Sequence, residues 1–367
     1  MRWEHRCRFQ KLILFWGIFN GQKEDLEEIY SLDSGGFTQF LTGVKEQTPS
    51  IQLKCTIKEL VDKDRLRDAV EKTLNIFSTF KMTLALGGSN QIPVYKVNSK
   101  DVDVYFYDGE PHNYGKESNG YLFRVYYFDK SILLSFNHIL TDAFGVSEFL
   151  KCILFFYFNI FDNNDQEIRK RLKVDPDDFR DLYALYGNPD CESFSIKDKW
   201  QNEVVVPNGM KYRKGESVKG HRIVFSIQDF IKISKKAESS VFPFMSWLVS
   251  NAIARTYGDE NKLVTGAGAY NCRKMFNSNT SRSFSQSYVT VFHPKERSMN
   301  LEQQLTIQRG RMDIETEEGT ISKSIAERKN FMDRMIGNAR GYIFDQQSRD
   351  QSSDSIYCLR TNGKSLS

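Results

Sequence analysis

Alternation of apolar and polar side chains predicts β-strands and helices through the first half of the chain. Residues 51–58 alternate as a half-buried strand does, whereas residues 62–80 place apolar side chains three and four positions apart, as an amphipathic helix does. Three shorter strands are predicted between clusters of Gly, Asn and Ser, at 82–86, 93–97 and 102–107. Two strongly apolar segments, 121–128 and 131–138, are separated by two residues and predict a β-hairpin.

The pattern restarts after a stretch rich in charged residues, Pro and Gly at 161–220, where we expect the hinge between two domains. The elements predicted beyond it are strand 221–227, helices 228–236 and 243–257, strands 262–270 and 287–292, and helices 300–314 and 321–335. A chain of 367 residues suits two domains of mixed α/β or α+β class. The predicted division is an N-terminal extension at 1–25, a first lobe at 26–165, a linker at 166–219 and a second lobe at 220–367.

Two apolar stretches require separate interpretation. Residues 12–19 follow several basic side chains, as the core of a signal peptide would, but no small-residue cleavage site follows them. Residues 152–161 extend an apolar run of about 16 residues that contains Glu148 and Lys151, whereas a bilayer span needs about 20. We therefore predict a fully buried helix there and no transmembrane segment.

The charge and the cysteine content of the sequence argue against several classes of protein. With 51 basic and 47 acidic residues the net charge is +4, without the concentrated basic stripe that binding to a nucleic acid needs. The six cysteines are scattered, with no CxxC pair, so neither a zinc site nor a disulfide framework is indicated. Free thiols in apolar runs, such as Cys55, fit a reducing compartment and predict a cytoplasmic protein.

The candidate chemistry lies in residues 136–145, FNHILTDAFG, which end the second hairpin strand and lead into the apolar helix. An imidazole titrates near neutrality, so His138 suits a general base. The alternatives are that His138 is a buried polar residue satisfied by the backbone, and that Asp142 is a helix cap. The HxxxD spacing alone does not decide between them.

Residues 121–154 resemble the active-site region of the CoA-dependent acyltransferase superfamily. This superfamily contains chloramphenicol acetyltransferase, nonribosomal peptide condensation domains and alcohol acetyltransferases, and the bacterial alcohol acetyltransferase-like proteins are most similar in appearance. The HxxxDG signature matches at His138 and Asp142, whereas Ala143 replaces the family Gly, and Gly145 is expected to supply the flexibility of the turn. Asn137 stands where condensation domains carry a first His, which argues mildly against peptide condensation.

The resemblance extends to both sides of this motif. Upstream, YSLD at 30–33 and the segment 53–84 are similar to the opening of alcohol acetyltransferase-like proteins. Downstream, residues 270–294 are similar to a segment of the family's second lobe. The matching positions there are Arg273, Phe276, Ser278, Thr280, Arg282 and Phe284, with Ser283 where Asn is expected.

The resemblance implies two lobes of the chloramphenicol acetyltransferase type with the active-site channel between them. It further implies that His138 acts as a general base in direct transfer, without an acyl-enzyme, and that Asp142 pairs with Arg273. The alternative for Arg273 is a solvated residue at a strand end. Candidate oxyanion or channel contacts are Asn137, Ser285, Ser287 and Thr290, with Thr290 on the strand face opposite the two serines. No metal ligand set is expected.

Three functions follow as hypotheses. The first is an O-acyltransferase that uses acetyl-CoA or another acyl-CoA as co-substrate, without a permanently bound cofactor, and a small alcohol or amine as acceptor. The second is a condensation-type enzyme that takes its donor from a phosphopantetheine carrier protein. The third is a degenerate, non-catalytic homologue that serves as a binding module. The chain ends at Ser367, where the family usually continues from a segment like 356–366, so a truncated second lobe is predicted.

Overall fold

The computed structural model describes residues 29–42, 50–87, 92–109, 116–192, 205, 223–257 and 261–347. The apolar stretch 12–19, the predicted extension 1–25 and the C-terminal segment 356–366 lie outside the described residues. The chain divides into two compact units. Unit 1 takes the described residues of Met1–Asp181, Asn279–Ser283 and Met332–Ser367, and unit 2 those of Leu182–Ser278 and Phe284–Phe331.

Unit 1 contains seven strands in two sheets, among the residues that are described. The strands are β1 (Ile29–Ser31), β2 (Ser50–Thr56), β3 (Met82–Gly87), β4 (Ile92–Val97), β5 (Val104–Phe106), β6 (Phe123–Phe128) and β7 (Ser131–Asn137). One sheet has the order β1-β4-β3, and the other has the order β2-β7-β6-β5, with β5 and β6 parallel and the other pairs antiparallel. Every residue of β7 is buried, which agrees with its nearly continuous apolar sequence.

The hairpin of β6 and β7 confirms the prediction from the two apolar segments. Phe128 pairs with Ser131, so the connecting turn consists of Asp129 and Lys130. Asp129 adopts a left-handed conformation with φ 46°, which Asp tolerates better than most residues and which suits a tight hairpin turn. The hairpin fixes the register that places His138 directly after the end of β7.

Four α-helices lie between residues 34 and 171 of unit 1. They are α1 (Ser34–Thr42), α2 (Lys63–Ile76), α3 (Ala143–Tyr157) and α4 (Asp165–Arg171). The predicted period is present in α2, whose buried positions are Leu66, Ala69, Val70, Thr73, Leu74 and Ile76. Phe149 of α3 stacks on Phe80 with ring centroids 4.2 Å apart and meets Phe77 and Phe123 edge-on. Each such buried aromatic ring contributes about 1.5–3 kcal/mol to folding.

Unit 2 combines helices with a two-stranded antiparallel sheet. Its elements are α5 (Leu182–Tyr186), α6 (Ile227–Lys236), α7 (Val241–Tyr257), β8 (Val264–Asn271), β9 (Ser285–Phe292), α8 (Leu301–Glu315) and α9 (Glu318–Gln347), the last up to Phe331. Phe230, Phe244 and Leu305 pack together, which joins α6, α7 and α8. No helix in the described part of the chain is long and apolar enough to cross a membrane.

Two predicted elements are wrong in detail. Residues 223–226 form no strand, because Ser226 caps α6 by accepting the Asp229 amide and its apolar neighbours find no partner strand; residues 221 and 222 are not described. The apolar helix ends at Tyr157, and Phe158 and Ile160 are each 39% exposed, so the stretch 152–161 is not fully buried. The region predicted as a linker holds α5 and all of α4 except its first residue, Asp165; the sequence of α4 is polar, whereas that of α5 is apolar.

Candidate active site at the His138 loop

His138 lies in the loop between β7 and α3, and its side chain is half-buried. Its Nδ1 atom is 2.8 Å from the carbonyl oxygen of Thr141. Because a carbonyl oxygen can only accept a hydrogen bond, this contact places the ring hydrogen of the neutral imidazole on Nδ1. The lone pair is then on Nε2, which is the arrangement that a general base needs.

Asp142 caps α3. Its Oδ1 accepts the backbone N–H groups of Phe144 and Gly145, both at 3.1 Å, and its backbone is extended as an N-cap residue requires. Such a cap contributes about 1 kcal/mol and fixes the point where the loop ends and the helix begins. The helix-cap interpretation of Asp142 is therefore correct.

Arg273 lies in unit 2 and is only 4% exposed, so its interpretation as a solvated strand-end residue is wrong. Its Nη1 and its backbone amide each donate to Asn271 Oδ1 at 3.1 Å. The pairing of Arg273 with Asp142 stays a prediction. A buried guanidinium requires acceptors, and Asn271 supplies one of them.

Asn137 is completely buried and shapes the start of the loop. Its Oδ1 accepts the amide of Ile139 at 3.0 Å, and its carbonyl accepts the amide of Leu140 at 3.0 Å. Within the described residues, Asn137 Nδ2 has no hydrogen-bond partner, which makes it an unsatisfied buried donor. The role of Asn137 as a polar contact to substrate stays a prediction.

The three hydroxyl residues predicted as oxyanion or channel contacts lie on β9 in unit 2. Ser285 and Thr290 are half-buried and Ser287 is exposed. Ser285 pairs with Asn271 and Thr290 with Gly266, so the serines and Thr290 occupy opposite faces of the strand, as alternation predicts. Their contact with substrate stays a prediction.

A short polar segment, Asn279–Ser283, belongs to unit 1 and contacts the His138 loop directly; we call it the strap. Thr141 Oγ1 donates to the Ser281 carbonyl at 2.6 Å. The hydroxyl of Ser281 is 2.8 Å from that of Thr79, and the Ser281 amide donates to the Asp175 carbonyl. Sequence reasoning placed strap residues in the second lobe and missed this contact.

Gly145 is the point of closest approach between α3 and the strap. A Cβ at this position would lie 2.0 Å from the Ser281 carbonyl oxygen and 2.2 Å from Thr141 Oγ1. Gly145 is an ordinary helical residue of α3 and is not among the glycines with positive φ. Close packing is therefore the reason for glycine here, rather than the turn flexibility expected from the sequence.

Replacement of Gly145 by alanine is expected to lower the free energy of unfolding by about 1–3 kcal/mol, because the added methyl group must displace the strap. Urea denaturation measures this change. The matched control is Gly310→Ala in α8, where a Cβ meets nothing within 4 Å and better helix propensity should raise stability by up to about 1 kcal/mol. Equal stability of the two variants would contradict the packing argument.

A buried ion pair joins the strap to Asp33, the residue before α1. Arg282 forms an ion pair with Asp33, and both side chains are at most 4% exposed. The Arg282 guanidinium lies over the ring of Tyr95, with its carbon 4.8 Å from the centroid. Burial raises the pKa of the Tyr95 hydroxyl, so this group stays protonated and donates to the Ile139 carbonyl at 2.7 Å. The sequence marked Asp33 and Arg282 only as positions of family resemblance.

The described part of the chain also contains a buried thiol, that of Cys152. Burial raises the pKa of the Cys152 thiol to about 12, so this residue is not a thiolate nucleophile at neutral pH. No group of three or more His, Cys, Asp or Glu side chains there is arranged to hold a metal ion. The His138 loop is the site whose geometry suits acid–base chemistry.

No protein-family model matches the sequence, and no curated protein matches it either. Solved structures do match. F. sporotrichioides TRI101, determined with coenzyme A and T-2, aligns with a TM-score of 0.54 at 10% identity, over 85% of this chain and 79% of that chain. The starter condensation domain of rhizomide synthetase RzmA aligns with a TM-score of 0.51 at 10% identity, over 81% and 74% of the two chains.

The chain has the CoA-dependent acyltransferase and condensation-domain fold. The predicted fold class, of the chloramphenicol acetyltransferase type, is thereby confirmed. The epimerization domain from the third module of tyrocidine synthetase B also has this fold, with a TM-score of 0.53 at 10% identity over 84% and 76% of the two chains. Since members of the acyltransferase and condensation-domain fold carry out different reactions, the reaction must be argued from the site.

Proposed function

We propose that the protein transfers an acyl group, in the simplest case acetyl, from acyl-CoA to a small alcohol or amine, with His138 as the general base. The observation that carries this proposal is the contact between His138 Nδ1 and the Thr141 carbonyl, because it leaves the Nε2 lone pair for the acceptor. Support comes also from TRI101, a protein of this fold that was determined with coenzyme A.

The reaction needs one proton acceptor and no enzyme nucleophile. Nε2 takes the proton of the acceptor hydroxyl or amine as its oxygen or nitrogen attacks the thioester carbonyl. The tetrahedral intermediate then expels the thiolate as the carbon–sulfur bond breaks, and the thiolate recovers the proton from Nε2. During these steps the imidazolium is stabilised by the Thr141 carbonyl, which accepts from Nδ1–H throughout.

Asp142 and the buried residues of β7 support this chemistry by fixing both ends of the loop. The cap by Asp142 fixes the first turn of α3, and Asn137 fixes the turn that follows β7. Asn137 Nδ2 is a candidate donor to the developing oxyanion, as are Ser285, Ser287 and Thr290 from β9. Asp142 and Arg273 are proposed to pair and to hold the loop, rather than to contact substrate.

A donor and acceptor screen tests the proposal. The full chain is incubated with acetyl-CoA and a panel of alcohols and amines, and free thiol release and product mass are followed. We expect release that depends on an acceptor, with alcohols preferred, and that is lost in His138→Asn. Thiol release no faster than in the His138→Asn variant with every acceptor, or transfer that this substitution leaves unchanged, would contradict the proposal.

A second candidate is a condensation-type enzyme whose donor is carried on a protein-bound phosphopantetheine. It is favoured by the likeness to the rhizomide synthetase starter condensation domain. The same screen, run with an acyl-loaded carrier protein in place of acetyl-CoA, separates the two. Transfer from the carrier protein alone would select this candidate, and binding without any transfer would select a non-catalytic binding module.

A further inference from the structure

We infer that Thr141 and Tyr95 are positioning residues for His138: two buried hydroxyl groups hold the loop so that the Thr141 carbonyl stays on Nδ1. The inference rests on the proposed role of Nε2 as a base, and it adds residues that do not touch substrate.

The Thr141 side chain is completely buried and is fixed by the strap. Its hydroxyl donates to the Ser281 carbonyl at 2.6 Å, its shortest contact. Ser281 is itself anchored, because its hydroxyl bonds that of Thr79, which donates in turn to the Pro176 carbonyl at 2.9 Å. The Thr141 peptide therefore has one position relative to the core of unit 1, and the imidazole follows it.

Tyr95 fixes the other end of the loop. Its hydroxyl donates to the Ile139 carbonyl at 2.7 Å, one residue after His138. The ring is held from one side by the Arg282 guanidinium. Gly36 closes the remaining space, since a Cβ there would lie 2.8 Å from the Ile139 oxygen and 2.9 Å from the Tyr95 hydroxyl.

Two hydroxyl-to-carbonyl hydrogen bonds thus hold the loop at Ile139 and at Thr141, directly after His138. Loss of either bond lets a peptide of the loop rotate and carries the ring away from its hydrogen-bonded orientation. Misplacement of a reacting group by about 1 Å costs about 10²-fold in rate. The role is distinct from stability, because a buried hydroxyl elsewhere in unit 1 stabilises the fold without touching the loop.

The chain supplies a matched control for each substitution. Thr141→Val keeps the shape and removes the hydroxyl, and its control is Thr73→Val in α2, where a completely buried hydroxyl donates to the Ala69 carbonyl at 2.8 Å. Tyr95→Phe has as its control Tyr121→Phe, where the hydroxyl donates to the Lys100 carbonyl at 2.7 Å. Thr141→Ser restores the donor and serves as the rescue variant.

Kinetics give the first readout. We expect Thr141→Val and Tyr95→Phe to lower kcat for acetyl transfer by about 10- to 100-fold while KM changes little, and Thr141→Ser to recover most of the rate. Both controls should keep wild-type kcat. Wild-type kcat in the two loop variants, or equal losses in the controls, would overturn the inference.

The histidine tautomer gives a second readout that does not depend on activity. In the ¹⁵N spectrum of the histidine side chains, wild-type His138, assigned by its loss in His138→Asn, should show a neutral ring protonated on Nδ1. Thr141→Val and Tyr95→Phe should give a mixture of tautomers, and the controls should leave the signal unchanged. If no substrate is turned over, the proposed function fails, but this spectrum still tests the positioning roles. An unchanged His138 signal in both loop variants overturns them.

Discussion

Replacement of His138 by asparagine is expected to lower kcat for acetyl transfer by about 10²- to 10⁴-fold, which is the usual contribution of a general base. Asparagine is chosen because its amide nitrogen can occupy the place of Nδ1 and continue to donate to the Thr141 carbonyl. The buried carbonyl then keeps its partner, the loop keeps its shape, and only Nε2 is lost. Initial rates of thiol release measure the effect, and thermal unfolding verifies that the fold is retained.

The control for this substitution is His293→Asn. His293 caps a short helical turn in unit 2, where its Nδ1 accepts the amide of Lys295 at 3.3 Å, so its ring carries the opposite tautomer to that of His138. Asparagine is a good cap, so this variant should fold and keep wild-type turnover. If His138→Asn retained turnover within about threefold of wild type, His138 would not be the base.

Replacement of Arg282 by methionine is expected to lower the free energy of unfolding by about 3–5 kcal/mol, because it leaves the Asp33 carboxylate buried without its counter-charge. Methionine fills much of the same volume, so the loss comes chiefly from the charge. Urea denaturation with a common m-value measures it. A substantial fraction of a typical domain's stability depends on this one pair.

A double variant separates the charge from the packing. In the wild-type protein Asp33 Oδ1 accepts the Gly36 amide at 2.7 Å. Asp33→Asn keeps an oxygen for this hydrogen bond and removes the buried charge. Asp33→Asn combined with Arg282→Met should therefore recover most of the stability lost in Arg282→Met. The exposed pair of α2 supplies a comparison: Lys72→Met, which breaks an i,i+4 contact with Asp68, should change stability by less than about 0.5 kcal/mol. A loss of that size in Arg282→Met would show that the buried charge is otherwise compensated.

Periodicity was sufficient to predict the elements that carry the site. The seven buried residues of β7 and the helical spacing in α2 are local signals. In both elements the fold buries the apolar side chains that form the signal. The motif at His138 and Asp142 was likewise visible, since it lies at the junction of two strongly patterned elements. The tertiary contacts that these residues make could not be predicted from the sequence.

The strap shows why. Its residues, NTSRS, have no hydrophobic period, and Thr141 and Ser281 are separated by 140 positions, so no local preference reports their contact. Nor does sequence decide which arginine meets which aspartate: Arg282 pairs with Asp33, a contact that depends on tertiary packing alone. The predicted strand at the exposed residues Ile223 to Phe225 is wrong for a related reason. An apolar segment forms a strand only where a partner strand is available.

The strap also limits how far the first unit can fold during synthesis. On the ribosome the whole of residues 1–181 is synthesised about a hundred residues before Ser281 and Arg282 emerge, at roughly 5–20 residues per second. Until then Asp33 has no counter-charge and the Thr141 hydroxyl has no Ser281 carbonyl to bind. The first unit therefore lacks these contacts for several seconds of synthesis. A fragment that ends at Asp181 would lack them permanently, and its His138 loop would not reach the structure seen in the full chain.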